Sequence, residues 1–254
     1  MGFHVSQPSF QSLFVEVLAL GQPISTATAF VGKADVGRAL LLTNRHVVTG
    51  RHQDTGQMLS STGAIPDELR IWPNARTELG QFVPVHMPLL TDGQPNWFEH
   101  PTLGEHADLV ALQLPDRADI AIYPYRVLAL THMSIEPAQV LSVVGFPFGE
   151  KTGPSFAVWA TGFVASEPEI DHGGRPVFLI DCRSRPGQSG SPVILHQGFR
   201  KTREHAAEDE PSSELLGIYS GRINSESDLG VVWKSHAIEE LLVAASFAAS
   251  WSAP

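Results

Sequence analysis

The sequence predicts an all-β protein of two six-stranded antiparallel β-barrels with a C-terminal helix. Three observations predict this fold: two successive sets of six short apolar runs, turn-forming residues between the runs, and almost no helical periodicity before residue 235. Many short strands separated by turns are typical of small barrels. The 254 residues are enough for two such barrels with apolar cores.

The first half of the chain supplies the N-terminal barrel, which we assign to residues 1–120. Glycine and proline turns, such as Gly21-Gln22-Pro23, separate neighbouring runs. The six predicted strands are rich in β-branched and aromatic residues and cover 13–20, 24–31, 38–48, 68–72, 81–87 and 107–114.

The second half supplies the C-terminal barrel, which we assign to residues 121–254. A connector with several prolines, over 115–137, joins the two barrels, which together form one domain. Apolar residues at helical spacing predict a terminal helix over about 235–250. The predicted strands of this half cover 139–145, 156–165, 176–182, 191–196, 215–223 and 230–233.

Composition and charge restrict the partners. Hydrophobic residues make up 43% of the chain and charged residues 17%, which indicates a globular protein. The 27 acidic and 17 basic residues give a formal net charge of -10, and an acidic surface repels phosphate backbones. We therefore expect no nucleic-acid partner. We expect no membrane partner either, because no window approaches the roughly 20 apolar residues of a spanning helix.

Cysteine usage and the first residues of the chain predict a cytoplasmic location. Cys182 is the one cysteine, so no disulfide can form within the chain, and a reducing compartment is favoured. We interpret Cys182 as a small buried core residue. The first residues lack a basic region followed by an apolar run, which argues against a secretory signal.

A serine flanked by glycines and small residues is the first candidate for chemistry. Residues 186–192 read Pro-Gly-Gln-Ser-Gly-Ser-Pro and lead into a predicted strand. A tight turn of this kind can expose the hydroxyl of Ser189. The backbone N–H groups of Gly187 and Ser189 could then hold the oxyanion that forms when the hydroxyl attacks a carbonyl. Gly-Ser turns are also common between strands, so this motif alone does not decide between the two interpretations.

A histidine and an aspartate complete a candidate catalytic triad. His46 lies near the rim of a predicted strand, where it could act as the base that a serine nucleophile needs. Asp108 opens an apolar strand, where a buried carboxylate requires a donor such as a histidine N–H. Alone, either residue could be satisfied by the backbone. Asp108 follows His46 by 62 residues, and Ser189 follows Asp108 by 81 residues. His46 and Asp108 therefore belong to the first barrel and Ser189 to the second, which places the site in the cleft between them.

Three segments together resemble the trypsin-like peptidase family, and most of all its disulfide-free bacterial branch that includes the HtrA proteases. They are Thr-Asn-Arg-His-Val-Val at 43–48, Ala-Asp-Leu-Val-Ala-Leu at 107–112, and the serine motif. The turn at 144–149, the strand pair at 156–166 and Asp181 also fit that branch. The resemblance covers about 28–242. It implies a chymotrypsin-like fold, serine endopeptidase activity, protein or peptide substrates and no cofactor.

The serine motif departs from the family pattern at two positions, and the second departure concerns control of activity. Ser191 stands where the family usually has glycine, which should leave both oxyanion donors in place. Gln188 stands where digestive members carry an aspartate that pairs with a freshly cut N-terminus, so that switch is absent. Control is then expected from a regulatory protein partner, from loop order or from confinement. The charged segment 197–213 is either a solvated surface loop or a regulatory or self-cleavage loop.

The family's spacing also implies residues that bind substrate. Arg183 would lie near the base of the first specificity pocket, and the pocket wall would consist of Tyr219, Ser220 and Gly221. This wall would offer backbone pairing to an extended substrate. An arginine at the base would favour an acidic side chain just before the cut, unless it turns away to pair with an acidic neighbour.

Three other interpretations compete with an active serine peptidase. An α/β-hydrolase esterase would use Ser189, Asp228 and His236, but that fold needs a helix after the nucleophile. An inactive or latent module would bind peptides in the same groove and need a partner to become active. A metal hydrolase, for which the chain lacks an HExxH motif, would need His86, His100 and His106 with Glu99 or Glu105.

Overall fold

Two β-sheet units, one from each half of the chain, form the protein. The computed structural model describes residues 5–127, 135–197, 212–224 and 226–248. The helices and strands are α1 (Gln7–Gln11), β1 (Ser12–Ala19), β2 (Gln22–Lys33), β3 (Leu40–Thr43), α2 (Arg45–Thr49), β4 (Glu68–Ile71), β5 (Asn74–Ala75), β6 (Val85–Pro88), β7 (Leu90–Thr91), β8 (Gln94–Pro95), β9 (Phe98–Glu99), β10 (Val110–Leu112), β11 (Ile120–Ala121), β12 (Tyr125–Arg126), β13 (Val140–Gly145), β14 (Val158–Val164), β15 (Val177–Asp181), β16 (Pro192–Gln197), β17 (Ser212–Arg222), β18 (Leu229–Lys234) and α3 (Ser235–Phe247). Short 3₁₀ turns cover Pro147–Gly149 and His172–Gly174.

The C-terminal unit is a closed barrel. Its six strands follow the order β13-β14-β15-β18-β17-β16, and β16 pairs back onto β13. All neighbours are antiparallel. Each strand overlaps one of the six runs predicted for this half. The prediction succeeds because side chains of a half-buried strand alternate between core and solvent, which gives the sequence a period of two. The six-stranded antiparallel barrel predicted for this half is confirmed.

The N-terminal unit is a curled sheet that remains open over the described residues. Its strands follow the order β6-β4-β1-β2-β3-β10-β9, and β12 pairs in parallel with β2. The all-β class is confirmed, but this half forms a half-barrel rather than a closed barrel of six strands. Most strands between β4 and β10 have only two residues. Pro73, Pro84 and Pro88 lie in this stretch, and a proline has no N–H with which to extend a ladder.

One apolar cluster joins the two units. It includes Phe14 and Phe30 from the first sheet and Phe146 and Trp233 from the second unit. The rings of Phe14 and Phe146 meet edge to face, with their centroids 5.3 Å apart. Full burial of a phenylalanine stabilises a fold by about 1.5–3 kcal/mol. The cluster therefore holds the two units against each other.

Helix α3 packs into the same cluster and contacts both units. Ile238, Leu241 and Leu242 are fully buried. The helix lies against β9 and β10 of the first unit and against β17 and β18 of the second. Glu240 reaches the buried His100 of the first unit, with 3.5 Å between Oε2 and Nε2. The predicted terminal helix is confirmed, and it ends at Phe247 rather than near residue 250.

The run 38–48 is not one strand, as the sequence predicts, but a strand followed by a helix. β3 ends at Thr43, and the side chain of Asn44 donates to the carbonyl of Asp108 at 2.7 Å, which turns the chain out of the sheet. Helix α2 follows directly and ends at Thr49. The next residue, Gly50, caps it in the left-handed conformation with a φ of 65°. His46 therefore lies on a short helix just beyond a strand.

Two segments predicted as connector and loop lie partly outside the described residues. The connector contains β11 and β12, which pair with strands of the first unit, and the predicted boundary at 120/121 falls within β11. Residues 128–134 of the connector and 198–211 of the charged segment are outside the described part. Among the described helices, none has the length and apolar character needed to cross a bilayer.

Candidate active site

Strand register brings His46 and Asp108 to the same end of the first sheet. In the ladder of β3 and β10, Thr43 pairs with Val110. His46 lies three residues after Thr43, and Asp108 lies two residues before Val110. Because the two strands are antiparallel, both residues emerge beyond the same edge of the ladder.

The carboxylate of Asp108 is buried and holds His46 through two hydrogen bonds. Only 2% of its side chain is exposed. Oδ2 lies 2.7 Å from Nδ1 of His46, and Oδ1 accepts the backbone N–H of His46 at 2.9 Å. The hydroxyl of Ser220, on β17 of the other unit, also donates to Oδ2. These donors satisfy a carboxylate that would otherwise be costly to bury. With Nδ1–H donating to Asp108, a neutral His46 presents the lone pair of Nε2 as a base.

Burial and charge act in opposite directions on the pKa values of this pair. Burial lowers the pKa of His46, but the charge and hydrogen bond of Asp108 raise it, so the pKa lies above the ordinary value of 6.5. Burial raises the pKa of Asp108, but His46 and Ser220 lower it, so the pKa lies below the ordinary value of 3.8. The site thus favours a proton on His46 beside a negative Asp108, which is the charge state reached when His46 accepts a proton.

Ser189 lies in a tight turn that only glycine neighbours allow. Gly187 and Gly190 have φ angles of +95° and +84°. A Cβ on Gly187 would lie 2.3 Å from the carbonyl oxygen of Phe146, and one on Gly190 would lie 2.1 Å from that of Thr28. The two glycines therefore permit both the left-handed backbone and the close packing of the turn.

Within the part of the chain that the structure describes, the backbone N–H groups of Gly187 and Ser189 have no hydrogen-bond acceptor. The preceding carbonyl, of Pro186, accepts the N–H of Phe148 at 2.6 Å. Fixed, unpaired donors next to a hydroxyl are what an oxyanion site requires.

A single cleft of about 660 Å³ between the units contains the predicted catalytic groups. His46, Asp108, Gly187 and Ser189 all line it. In the part of the chain that the structure describes, no hydrogen bond joins the Ser189 hydroxyl to the His46 ring. Bonds of this kind commonly tighten only when substrate binds. The structure thus brings the three predicted triad residues to one cavity, with the predicted nucleophile and the predicted base on opposite units.

The four predicted substrate-binding residues do not share one location. Ser220 and Gly221 line the cleft. Tyr219 is buried, and its hydroxyl is hydrogen-bonded to that of Ser184. Arg183 is exposed and does not line the cleft. The acidic-preference hypothesis therefore lacks the arginine that it needs at the base of a pocket.

The structure adds cleft residues that the sequence argument missed. Asp54, in the loop after α2, pairs with Arg175, which precedes β15, at 3.0 Å between Oδ1 and Nη1. Both residues line the cleft, so the ion pair links its two sides. Loop charges have no periodic pattern, so this pair could not be predicted from the sequence. Asn44 was also missed, although an amide directly after an apolar strand marked the point where the chain turns.

The other two hydrolase interpretations do not fit the structure. Ser189 is followed by strand β16 rather than by a helix. His86 pairs with Glu68 at 2.6 Å, and His100 pairs with Glu240, so these histidines do not converge. Among the described residues, no group of three or more histidine, cysteine or acidic side chains could hold a metal ion.

Solved structures with the same fold include bacterial proteases of low sequence identity. The active form of the protease Rv3671c from M. tuberculosis matches with a TM-score of 0.52 and 14% identity, over 97% of this chain and 85% of that one. A serine endoprotease from Yersinia pestis matches with a TM-score of 0.53 and 14% identity, over 94% and 65%. The HtrA-type protease AlgW with a tripeptide matches with a TM-score of 0.53 and 16% identity, over 94% and 61%. At these identities the likeness establishes a shared chymotrypsin-like fold.

Sequence comparison identifies the family directly. Comparison with curated proteins gives no match. The family described as "Trypsin-like peptidase domain" matches residues 27–199, which is more than half of the chain and includes His46, Asp108 and Ser189. The chain therefore belongs to the trypsin-like peptidase family.

Proposed function

We propose that the protein is a serine endopeptidase that cleaves peptide bonds through an acyl-enzyme on Ser189. One observation carries the proposal: a buried Asp108 holds His46 at 2.7 Å beside the cleft that Ser189 also lines. A protease fold alone does not imply activity, but this arrangement supplies a nucleophile, a base and the acceptor that orients the base.

The geometry supports the following sequence of steps. Oγ of Ser189 forms a bond to the carbonyl carbon while Nε2 of His46 takes the hydroxyl proton. The N–H groups of Gly187 and Ser189 bind the resulting oxyanion. The C–N bond then breaks, and His46 gives its proton to the leaving amine. Water then attacks the ester while His46 takes its proton. The bond between the acyl carbon and Oγ breaks, the acid is released, and His46 returns the proton to Ser189. Asp108 stays ionised throughout and stabilises the imidazolium.

The proposed substrate is an extended segment of a protein or peptide. Ser220, Gly221 and Arg222 lie at the end of β17 and line the cleft, so their backbone can pair with an added strand. The cleft volume of about 660 Å³ is in the range of enzyme pockets. Its lining includes the cations Arg175 and Arg222 and the anions Asp54 and Asp108, which gives no strong preference for one charge.

A latent peptidase that needs a regulatory protein partner is the second candidate, and two observations favour it. No hydrogen bond joins Ser189 to His46 in the described part of the chain, and the Asp54–Arg175 pair links the two sides of the cleft. A partner that separates this pair would open the cleft and allow the units to adjust. The two candidates differ only in whether the isolated chain is active.

Labelling with a fluorophosphonate tests the proposal. The reagent phosphonylates a serine only when its base and oxyanion donors are in place. We expect wild type to gain one label on Ser189, as read by intact mass and peptide mapping, while Ser189→Ala and His46→Ala gain none. A folded wild type that stays unlabelled contradicts an active isolated chain. If labelling then appears only with a candidate partner, the latent form is correct.

We also propose that the protein works in a reducing, cytoplasmic compartment. The fold has a closed barrel and a shared apolar cluster without any disulfide, and Cys182 is buried. Burial raises the pKa of this thiol to about 11, so it is poorly reactive. Fractionation of cells that express the tagged chain tests the location, and recovery from an oxidising, extracytoplasmic fraction would contradict it.

A further inference from the structure

Thr28 connects the first sheet to the loop that carries the nucleophile. It lies on β2, opposite Phe14 of β1, and it is fully buried. Its backbone N–H donates to the carbonyl of Ser189 at 2.9 Å. Its hydroxyl donates to the carbonyl of Gly187 at 2.8 Å. One residue of the N-terminal unit therefore binds two carbonyls of the catalytic turn in the C-terminal unit.

The other polar groups of Thr28 are also satisfied. Its hydroxyl oxygen accepts the N–H of Phe146 at 3.1 Å. Its carbonyl accepts the hydroxyl of Thr43 at 2.9 Å. Thr43 ends β3, three residues before His46. Thr28 thus lies in one chain of hydrogen bonds between the strand that leads to the base and the turn that presents the nucleophile.

Every carbonyl from residue 186 to residue 189 has a fixed partner. The carbonyl of Pro186 accepts the N–H of Phe148 at 2.6 Å, and that of Gln188 accepts the N–H of Ser191 at 3.0 Å. The remaining two are held by Thr28. Three of these four donors are backbone N–H groups, and the hydroxyl of Thr28 is the one side chain among them.

Holding these carbonyls also orients the oxyanion donors. The described peptide bonds are trans, and in a trans peptide the N–H points away from the C=O. The N–H of Gly187 lies on the peptide whose carbonyl is that of Pro186, and the N–H of Ser189 lies on the peptide whose carbonyl is that of Gln188. The hydroxyl of Thr28 fixes the 187–188 peptide between them, and so limits the rotation of these two donor peptides relative to each other. Glycine at φ +95° would otherwise have wide freedom at this position.

We propose that Thr28 is a positioning residue that holds the 187–188 peptide, and with it the relative orientation of the two flanking N–H groups that form the oxyanion site. The inference rests on the proposed function, since it assigns Thr28 to the same reaction. Its hydroxyl bridges the two units, so the oxyanion site is complete only when the units are in register.

A matched control exists in the same structure. Ser12, on β1 of the first unit, is buried, and its hydroxyl donates to the carbonyl of Val144 in the second unit at 2.8 Å. This bond has the same chemistry, the same burial and the same crossing between units as that of Thr28. It does not touch the catalytic turn. Ser12→Ala therefore measures the effect of losing such a bond on stability alone.

The kinetic experiment compares Thr28→Val, Thr28→Ser and Ser12→Ala on one peptide substrate. Valine keeps the shape of threonine but leaves the carbonyl of Gly187 and the N–H of Phe146 without their partner. Since loss of one oxyanion donor costs about 10²–10³-fold in turnover, its misorientation should lower kcat about 10- to 100-fold, with KM changed less than about threefold. Thr28→Ser restores the hydroxyl and should restore kcat, and Ser12→Ala should keep it. A Thr28→Val enzyme as active as Ser12→Ala overturns the proposal.

A second readout separates this proposal from the proposed function. In the Ser189→Ala background, Thr28→Val should shift the amide resonances of Gly187 and residue 189 and speed the hydrogen exchange of Gln188, whose N–H donates to the carbonyl of Arg185. Ser12→Ala should leave both unchanged. If wild type never hydrolyses substrate but this difference is observed, the proposed function fails and the positioning role remains. Unchanged resonances of the turn overturn the positioning role whatever the activity. If the valine variant does not fold, Thr28→Ser and Thr28→Ala provide the same comparison.

Discussion

The two units position their proposed catalytic groups by different means. In the first unit, the ladder of β3 and β10 fixes His46 against Asp108, with Nδ1 and Oδ2 2.7 Å apart. In the second unit, Ser189 is placed by a turn whose carbonyls bond partly to the other unit. Within the described residues, the hydroxyl of Ser189 makes no hydrogen bond to His46. A pair inside one sheet is set by strand register. A contact between units depends on how the units pack, and this is where control of activity can act.

The largest expected effect comes from breaking the pair inside the first unit. Asp108→Asn should lower kcat about 10⁴-fold, because an amide stabilises the wrong tautomer of His46 and leaves a proton on Nε2. The rate of fluorophosphonate labelling measures this loss. Asp119→Asn, which removes an exposed ion pair with Arg117 in the same unit, serves as the control. Activity within tenfold of wild type would mean that the pair does not orient the base.

The pH profile sharpens the comparison, because it reports the same pair in the intact enzyme. Asp108 holds the pKa of His46 above its ordinary value of 6.5, and only neutral His46 can accept the serine proton. We expect kcat/KM to rise with pH, to have its midpoint above 6.5, and to fall about tenfold per unit below it. Circular dichroism over the same range checks that the fold persists. A midpoint at or below the ordinary value would show that burial outweighs the carboxylate.

Ser220→Ala tests the one side-chain bond that crosses from the second unit to Asp108. Removing this donor from a buried carboxylate should lower kcat about tenfold, since a hydrogen bond to a charged group contributes about 1.5–3 kcal/mol and two donors remain. Ser213→Ala, on the same strand and bonded to His196, is the matched control. Equal kcat values for the two variants would show that the bond from Ser220 does not help to position Asp108, and that contacts within the first unit suffice.

The smallest expected effect concerns the ion pair that links the sides of the cleft. Asp54 and Arg175 are both partly exposed, so the pair contributes no more than about 1 kcal/mol. Asp54→Asn should raise kcat/KM about two- to threefold for a folded protein substrate and leave that for a short peptide unchanged. Added salt should reduce the difference between wild type and variant, because it screens the pair. Equal changes for both substrates would show that the pair does not limit access.

The sequence predicted the elements whose pattern is local. Local periodicity predicts the six strands of the closed barrel and the terminal helix. Local motifs identify His46, Asp108 and Ser189 in their order, and neither signal depends on contacts with distant residues. The open edge of the first sheet was not predictable, because closure depends on which distant strands pair. Helix α2 was missed because its β-branched residues favour a strand, and the tertiary bond of Asn44 overrides that preference.

Side-chain placement in the site was predictable only in part. Family spacing placed Arg183 at the base of a pocket, whereas the structure places it in solvent. Ser220 was expected in the substrate wall, and the structure also gives its hydroxyl to Asp108. No sequence pattern marks Thr28 as a positioning residue, since its proposed role arises from a contact with residues about 160 positions later along the chain.

The packing of α3 determines when, during synthesis, the two units can pack fully against each other. Ile238, Leu241 and Leu242 complete the apolar seam between the units, yet they are translated after the three proposed catalytic residues. A growing chain that already contains Ser189 still lacks these side chains, so its two units share only part of their seam. We therefore expect an emerging polypeptide to remain unable to cut its neighbours on the ribosome until its last described helix has been released.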